Sequence, residues 1–155
     1  MTNNDVLRSL RYTLDLSDSK IVSIFKLSEH EVEQSHISNL LKKDDEIGYA
    51  DCSDELMEFF LDGLIVYRRG KAETRTAQEE KPKQRLSNNT ILKKLRVAFE
   101  LKEDDMHKLL ELSGFQVSKP ELSAFFRKKG HKNYRECGDQ ILRNFLKGLT
   151  LHYRS

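Results

Sequence analysis

Two thiols, five histidines and a handful of carboxylate runs are the groups in this chain that could carry chemistry, and their spacing narrows what that chemistry is. Cys52 and Cys137 are far apart and belong to no Cys-x-x-Cys pair, so the sequence predicts neither a disulfide framework nor a zinc finger. Each stands two residues before an aspartate that opens a helical stretch, and a helix N-terminus lowers a thiol pKa in favour of redox or thiolate chemistry. No histidine recurs beside them to act as a base, and the plainer expectation is a small core side chain. The histidines at 30, 36, 107, 131 and 152 form no His-Glu-x-x-His pattern, and no metal site is predicted. A Gly-rich phosphate loop, a Gly-x-Ser-x-Gly elbow and a carboxylate pair at catalytic spacing are absent from the sequence. Asp44-Asp45-Glu46 and Glu103-Asp104-Asp105 read as solvated turns or helix starts rather than general acids or metal ligands. The expectation is a protein without catalytic residues or cofactor, and so not an enzyme.

Positive charge is the stronger signal. Arg127, Lys128, Lys129, His131, Lys132 and Arg135 fall within nine residues, with Tyr134 among them to stack on a base, and together they form a candidate partner or phosphate patch. Placed after a helix, Arg127 and Lys128 would also complement the negative end of its dipole, a purely structural role. That role does not extend to the residues beyond them.

The elements that position these groups follow from a repeat. Sliding the chain by 85 positions aligns residues 3–69 with 88–154 without a gap, and 19 of the 67 pairs are identical. No histidine position survives the shift, which weakens any metal site further. Arg11, Asp54, Cys52 and Gly63 recur as Arg96, Asp139, Cys137 and Gly148. Arg11 with Asp54 and Arg96 with Asp139 are predicted as structural ion pairs, and the two glycines as points of close helix packing. The copies differ in charge: residues 3–70 hold 8 Lys and Arg against 14 Asp and Glu, a net of −6, whereas residues 88–155 hold 14 against 8, a net of +6. Lys129, His131, Lys132 and Arg135 oppose Asp44, Glu46, Ile47 and Ala50. The domains are then 1–70, acidic, and 88–155, basic, joined by a polar linker over 71–87 that has almost nothing to bury.

Each copy carries four apolar stripes of helical period. The first predicted helix spans Asn4 to Leu16 with Asn4 as its N-cap and Leu7, Leu10 and Leu14 on one face, mirrored by Leu92, Leu95 and Phe99. Ser17 caps a second helix with Ile21, Ile24 and Phe25. A third carries Ile37, Leu40 and Leu41, and its counterpart admits Pro120 in the first turn. The fourth opens at Asp54 or Asp139 and holds the longest stripe. The predicted fold is all-α: two tandem copies of a small, roughly four-helix domain. The interval from the second helix to the third is longer than the turn of a helix-turn-helix.

In a chain of 155 residues, 37% hydrophobic and 34% charged residues with only two prolines exclude collagen-like, low-complexity and wholly disordered classes. No apolar run approaches the roughly 18 residues of a membrane span. The opening Met1-Thr2-Asn3-Asn4-Asp5 lacks the features of a signal peptide, so a cytoplasmic protein with no membrane partner is expected.

The repeated Asn-Asn-x-(Val/Ile)-Leu-x-x-Leu-Arg, followed by Tyr-x-x-Cys-x-Asp and Phe-Leu-x-Gly-Leu, resembles the YehS-like family of small bacterial proteins. The resemblance spans nearly the whole chain, including Asn133 to Gln140. It implies a tandem domain of unknown function in a bacterial cytosolic protein and supplies no reaction or site residue. The functional expectation is a non-enzymatic intracellular binding or adaptor protein with a protein partner or self-association; the alternative is a nucleic-acid-binding protein using its basic second copy.

Overall fold

In a computed structural model of the chain, residues 1–70 and 85–154 are described. They form eight helices and, among the described residues, no strand: α1 (Asn3–Leu14), α2 (Asp18–Leu27), α3 (Gln34–Leu40), α4 (Asp54–Arg69), α5 (Asn88–Ala98), α6 (Glu103–Leu112), α7 (Lys119–Ala124) and α8 (Asp139–Arg154). Two units hold them, Met1–Leu86 and Ser87–Ser155. Every helix of the second unit starts 85 residues after its counterpart in the first. The copies therefore share one all-α fold. Most of the predicted linker, residues 71–84, lies outside the described residues.

Local signals set the helix ends. Thr2, not Asn4, caps α1: its hydroxyl accepts from Asp5 N–H while the Asp5 carboxylate accepts from Thr2 N–H, a reciprocal capping box. The helix stops at Leu14 rather than Leu16 because Asp15 turns left-handed at φ 53°, as Glu100 does at φ 55° after α5. Ser17 caps α2 and Ser53 caps α4 by accepting from N–H groups of the first turn. Ser118 and Glu121 make another capping box at α7, with Pro120 in its first turn.

In each unit the stripes meet in one core. Leu7, Leu10, Ile21, Ile24, Phe25, Ile37, Leu40, Phe60 and Leu64 have no exposure. Their counterparts Leu92, Leu95, Met106, Leu109, Leu110, Leu122, Phe125, Phe145 and Leu149 are likewise buried. Burying such a side chain is worth roughly 1.5–3 kcal/mol, so this core dominates the stability of each unit.

The two in-helix glycines answer a packing demand. A Cβ at Gly63 would collide with the Ile24 carbonyl oxygen and sit 2.9 Å from its carbonyl carbon; at Gly148 it would collide with the Leu109 oxygen and sit 2.7 Å from that carbon. The backbones of α2 and α4, and of α6 and α8, approach closely enough that only glycine fits between them.

Candidate nucleic-acid interface

The basic run occupies the loop between α7 and α8, and a buried amide fixes both ends of that loop. Asn89 Nδ2 donates to the carbonyls of Phe125 (3.0 Å) and Arg135 (2.8 Å), and its Oδ1 accepts from Cys137 N–H (2.8 Å). In the first unit Asn4 does the same with Leu40 (3.0 Å), Ala50 (2.8 Å) and Cys52 N–H (2.9 Å). Both amides are buried, and each makes three hydrogen bonds, with its acceptor and both of its donors engaged. The preceding residues complete the clasp: Asn3 donates to Cys52 O (3.1 Å) and to the Asp54 carboxylate (2.8 Å), and Asn88 to Cys137 O (3.0 Å) and Asp139 (2.8 Å). Four turn bonds also repeat at matched positions. His131 N–H to Lys128 O, Tyr134 N–H to His131 O, and Arg127 and Arg135 N–H to Ala124 O correspond to Glu46 to Lys43, Tyr49 to Glu46, and Lys42 and Ala50 to Asn39. The two loops share one hydrogen-bonded frame.

On that frame the second unit displays its charge. Arg127, Lys128, Lys129, His131, Lys132 and Arg135 are exposed and Tyr134 is half-buried. Among the described residues, no side chain pairs with the guanidinium or ammonium group of Arg127, Lys128, Lys129, Lys132 or Arg135. His131 Nδ1 accepts from Asn133 N–H at 3.0 Å, which turns the ring along the loop.

In the first unit Arg8 and Lys42 are used internally. Arg8 pairs with Asp5 and donates to Lys42 O (2.9 Å), and Lys42 Nζ donates to Ile47 O (2.9 Å). Its loop tip carries Asp44, Asp45 and Glu46 beside Ile47, which is 96% exposed. Lys93 stands at the position of Arg8 in the second unit and is exposed.

The predicted ion pairs are corrected. Asp54 and Asp139 are engaged by Asn3 and Asn88, and Asp54 also accepts from Leu86 N–H at 3.2 Å. Arg11 lies 4.0 Å from Asp18 at the start of α2. Arg96 donates to Leu101 O (3.0 Å) and lies 4.7 Å from the centre of the Phe126 ring. The sequence reading joined recurring opposite charges, yet an asparagine within reach of each carboxylate satisfies it first. The Asn88 hydrogen bond holds the Asp139 carboxyl below its ordinary pKa. The asparagines themselves were the missed structural residues, and their signal was the Asn-Asn doublet that opens both copies.

Cys52 and Cys137 are buried, and burial, with Asp54 or Asp139 close by, pushes both thiols up to about 12. That direction opposes thiolate chemistry. His30 stacks on Phe59 with ring centres 4.3 Å apart, and His107 bridges Glu111 (2.8 Å) and Val117 O (2.9 Å). Among the described residues no three His, Cys, Asp or Glu side chains converge to hold a metal ion. No helix of the described residues is long and apolar enough to cross a membrane.

The family model described as protein of unknown function (DUF1456) matches residues 3–70 and again 88–155. The chain belongs to the DUF1456 family. Its tandem matches coincide with the two helical copies. The chain is also 47% identical over 150 residues, 97% of its length and 95% of the relative's, to "Uncharacterized protein YehS" of the bacterium Escherichia coli (strain K12). No solved structure matches.

Proposed function

We propose that this protein is a non-catalytic binding module whose second copy presents the 127–135 loop to the phosphates of nucleic acid. The observation that carries the proposal is the group of five exposed Arg and Lys side chains on a loop anchored at both ends, none of them paired with a described residue. Anchoring matters because a fixed loop loses little conformational entropy when it meets a ligand. Five phosphate contacts would release counterions with a salt slope near −4.5, so a change from about 50 to 200 mM salt would weaken binding roughly 500-fold. Burial that raises both thiol pKa values speaks against thiolate chemistry at Cys52 and Cys137. The −6 and +6 charges of the copies favour a second reading, in which the chain acts as an adaptor for a protein partner or another copy of itself.

One experiment tests both. The full chain and a variant carrying Lys129→Asp, His131→Glu, Lys132→Ile and Arg135→Ala are titrated with mixed-sequence DNA and RNA at the two salt concentrations. Sedimentation velocity is run in the same buffers. These are the residues that the first copy holds on the same frame, so the fold tolerates them. Salt-sensitive binding by the full chain that the variant loses is the expected result. A chain that binds neither nucleic acid but self-associates at low salt replaces this proposal with the adaptor reading.

A further inference from the structure

The charge inversion does not stop at the loop. On α4 the outward positions Glu55 and Glu58 follow the acidic loop; on α8 the same positions are Gln140 and Arg143, and Lys147 stands one turn further at the position of Asp62. Arg143 and Lys147 are both exposed, and neither forms an ion pair with a described residue. Four residues apart on a helix, they lie on one face, separated by about 6 Å along the axis. Basic character in the second copy thus returns on the second and third turns of α8, beyond the exposed carboxylates Glu136 and Asp139 at the start of that helix, the second of which interacts with Arg143.

The composition of this surface also bears on which nucleic acid it fits. Single strands bound without sequence preference are held by aromatic side chains on which bases stack, as well as by cations. Here the cations are exposed, but Tyr134, the only Phe, Tyr or Trp of the 127–135 loop, is half-buried, the exposed imidazole of His131 is tied to the loop by Asn133 N–H, and the α8 face around Arg143 and Lys147 offers Gln140, Asn144 and Leu151. Such a surface grips phosphates and has little with which to stack on unpaired bases. Phosphate contacts alone position a protein on a duplex without reading its sequence.

We infer that Arg143 and Lys147 add to the cationic loop a second stretch of a track for the phosphate backbone of double-stranded nucleic acid, bound without regard to sequence. This rests on the phosphate-binding role of the loop. The track needs no base edge and no groove-entering helix, so two duplexes of unrelated sequence are equivalent ligands, and duplex DNA and duplex RNA are compared as two sources of the same backbone.

The test uses the full chain and an Arg143→Gln, Lys147→Gln variant, titrated from about 50 to 200 mM salt with duplex DNA, duplex RNA and single strands of equal length. Removing two phosphate contacts should lower the salt slope by about 1.8, which shrinks the loss of affinity across that range about 12-fold. Unchanged thermal midpoint and helicity establish that the variant is folded. The expected result is tighter binding of a duplex than of single strands by the wild type, together with the lower slope in the variant. Tighter single-strand binding, or an unchanged slope, overturns the inference while leaving the loop's role in place. A wild type that binds none of the nucleic acids overturns both.

Discussion

Replacing Asn4 separates two physical roles that asparagine plays equally well by residue type. At a helix N-cap, asparagine and aspartate are nearly interchangeable, because either side-chain oxygen accepts from the first turn. In the clasp they are opposites. Asn4 Nδ2 donates to two carbonyls, Leu40 O at 3.0 Å and Ala50 O at 2.8 Å, and a carboxylate there would turn an acceptor toward two acceptors inside the core. Asn4→Ala removes three hydrogen bonds of a buried side chain, each worth about 1 kcal/mol net and more where a carbonyl or N–H is left dry. A loss of about 3–5 kcal/mol follows, and in a unit of this size about 3 kcal/mol lowers the melting midpoint by roughly 12 °C or more. Asn4→Asp should be at least as damaging. Calorimetry on the full chain measures the midpoints, and hydrogen exchange read by mass spectrometry locates the damage. Protection should fall over residues 42–50 for Asn4 variants and over 127–135 for Asn89 variants. An Asn4→Asp chain as stable as the wild type would refute the clasp and restore a capping role.

Two further outcomes follow from the packing. Gly148→Ala gains up to about 1 kcal/mol of helix propensity but drives a methyl into the Leu109 carbonyl, so it should destabilise the protein by at least about 1 kcal/mol, whereas Gly138→Ser, which places the capping residue of the first copy where a new Cβ meets nothing within 4 Å, should be neutral or slightly stabilising by urea unfolding. The buried thiols, raised from an ordinary 9.0 to about 12, contribute stability that is fully present below pH 9 and is lost as pH rises from there toward 12, because only the unfolded chain ionises in that window. Each thiol should steepen the alkaline loss by up to about 1.4 kcal/mol per pH unit, and a Cys52→Ala, Cys137→Ala chain should show a shallower decline in its midpoint. An equal slope in that variant would show that the thiols ionise freely in the folded protein.

The helices were legible because a buried face writes its own period. Leu7, Leu10 and Leu14, or Ile21, Ile24 and Phe25, need no tertiary information to be placed on one side of a helix. The glycines were legible too, since a costly residue kept in both copies of a long helix calls for a close approach. Asn4 was misread because its residue type satisfies the cap rule, although Thr2 and Asp5, spaced as a capping box, had already claimed the helix start. Arg11 with Asp54 failed for another reason. Sequence shows which charges recur but not which uncharged donor lies nearer, and Asn3 does. The 127–135 loop was visible as a run of charge. Arg143 and Lys147 were not, since charges spaced by a helical turn form no run and stand out only beside Glu58 and Asp62.

The clasp also explains how two copies with one fold came to carry opposite surfaces. Asn4 and Asn89 hold each loop by its backbone: the carbonyls at its two ends and the N–H that follows it. None of these bonds depends on the loop side chains, so Asp44 and Lys129, or Ala50 and Arg135, hang on the same hydrogen bonds. Exposed substitutions of this kind usually change stability by no more than about 0.5 kcal/mol. The core has no such freedom. Ile21 and Met106, Ile24 and Leu109, Phe25 and Leu110 differ between copies but remain apolar, because a charge buried there without a partner would be expensive. Apart from Lys94, a buried residue at the position of Ser9, charge drifted where the clasp had already fixed the backbone or where a helix face met solvent. The 127–135 loop and the α8 positions Arg143 and Lys147 are such places, and a surface whose charge is released from folding in this way is open to being shaped by what it binds.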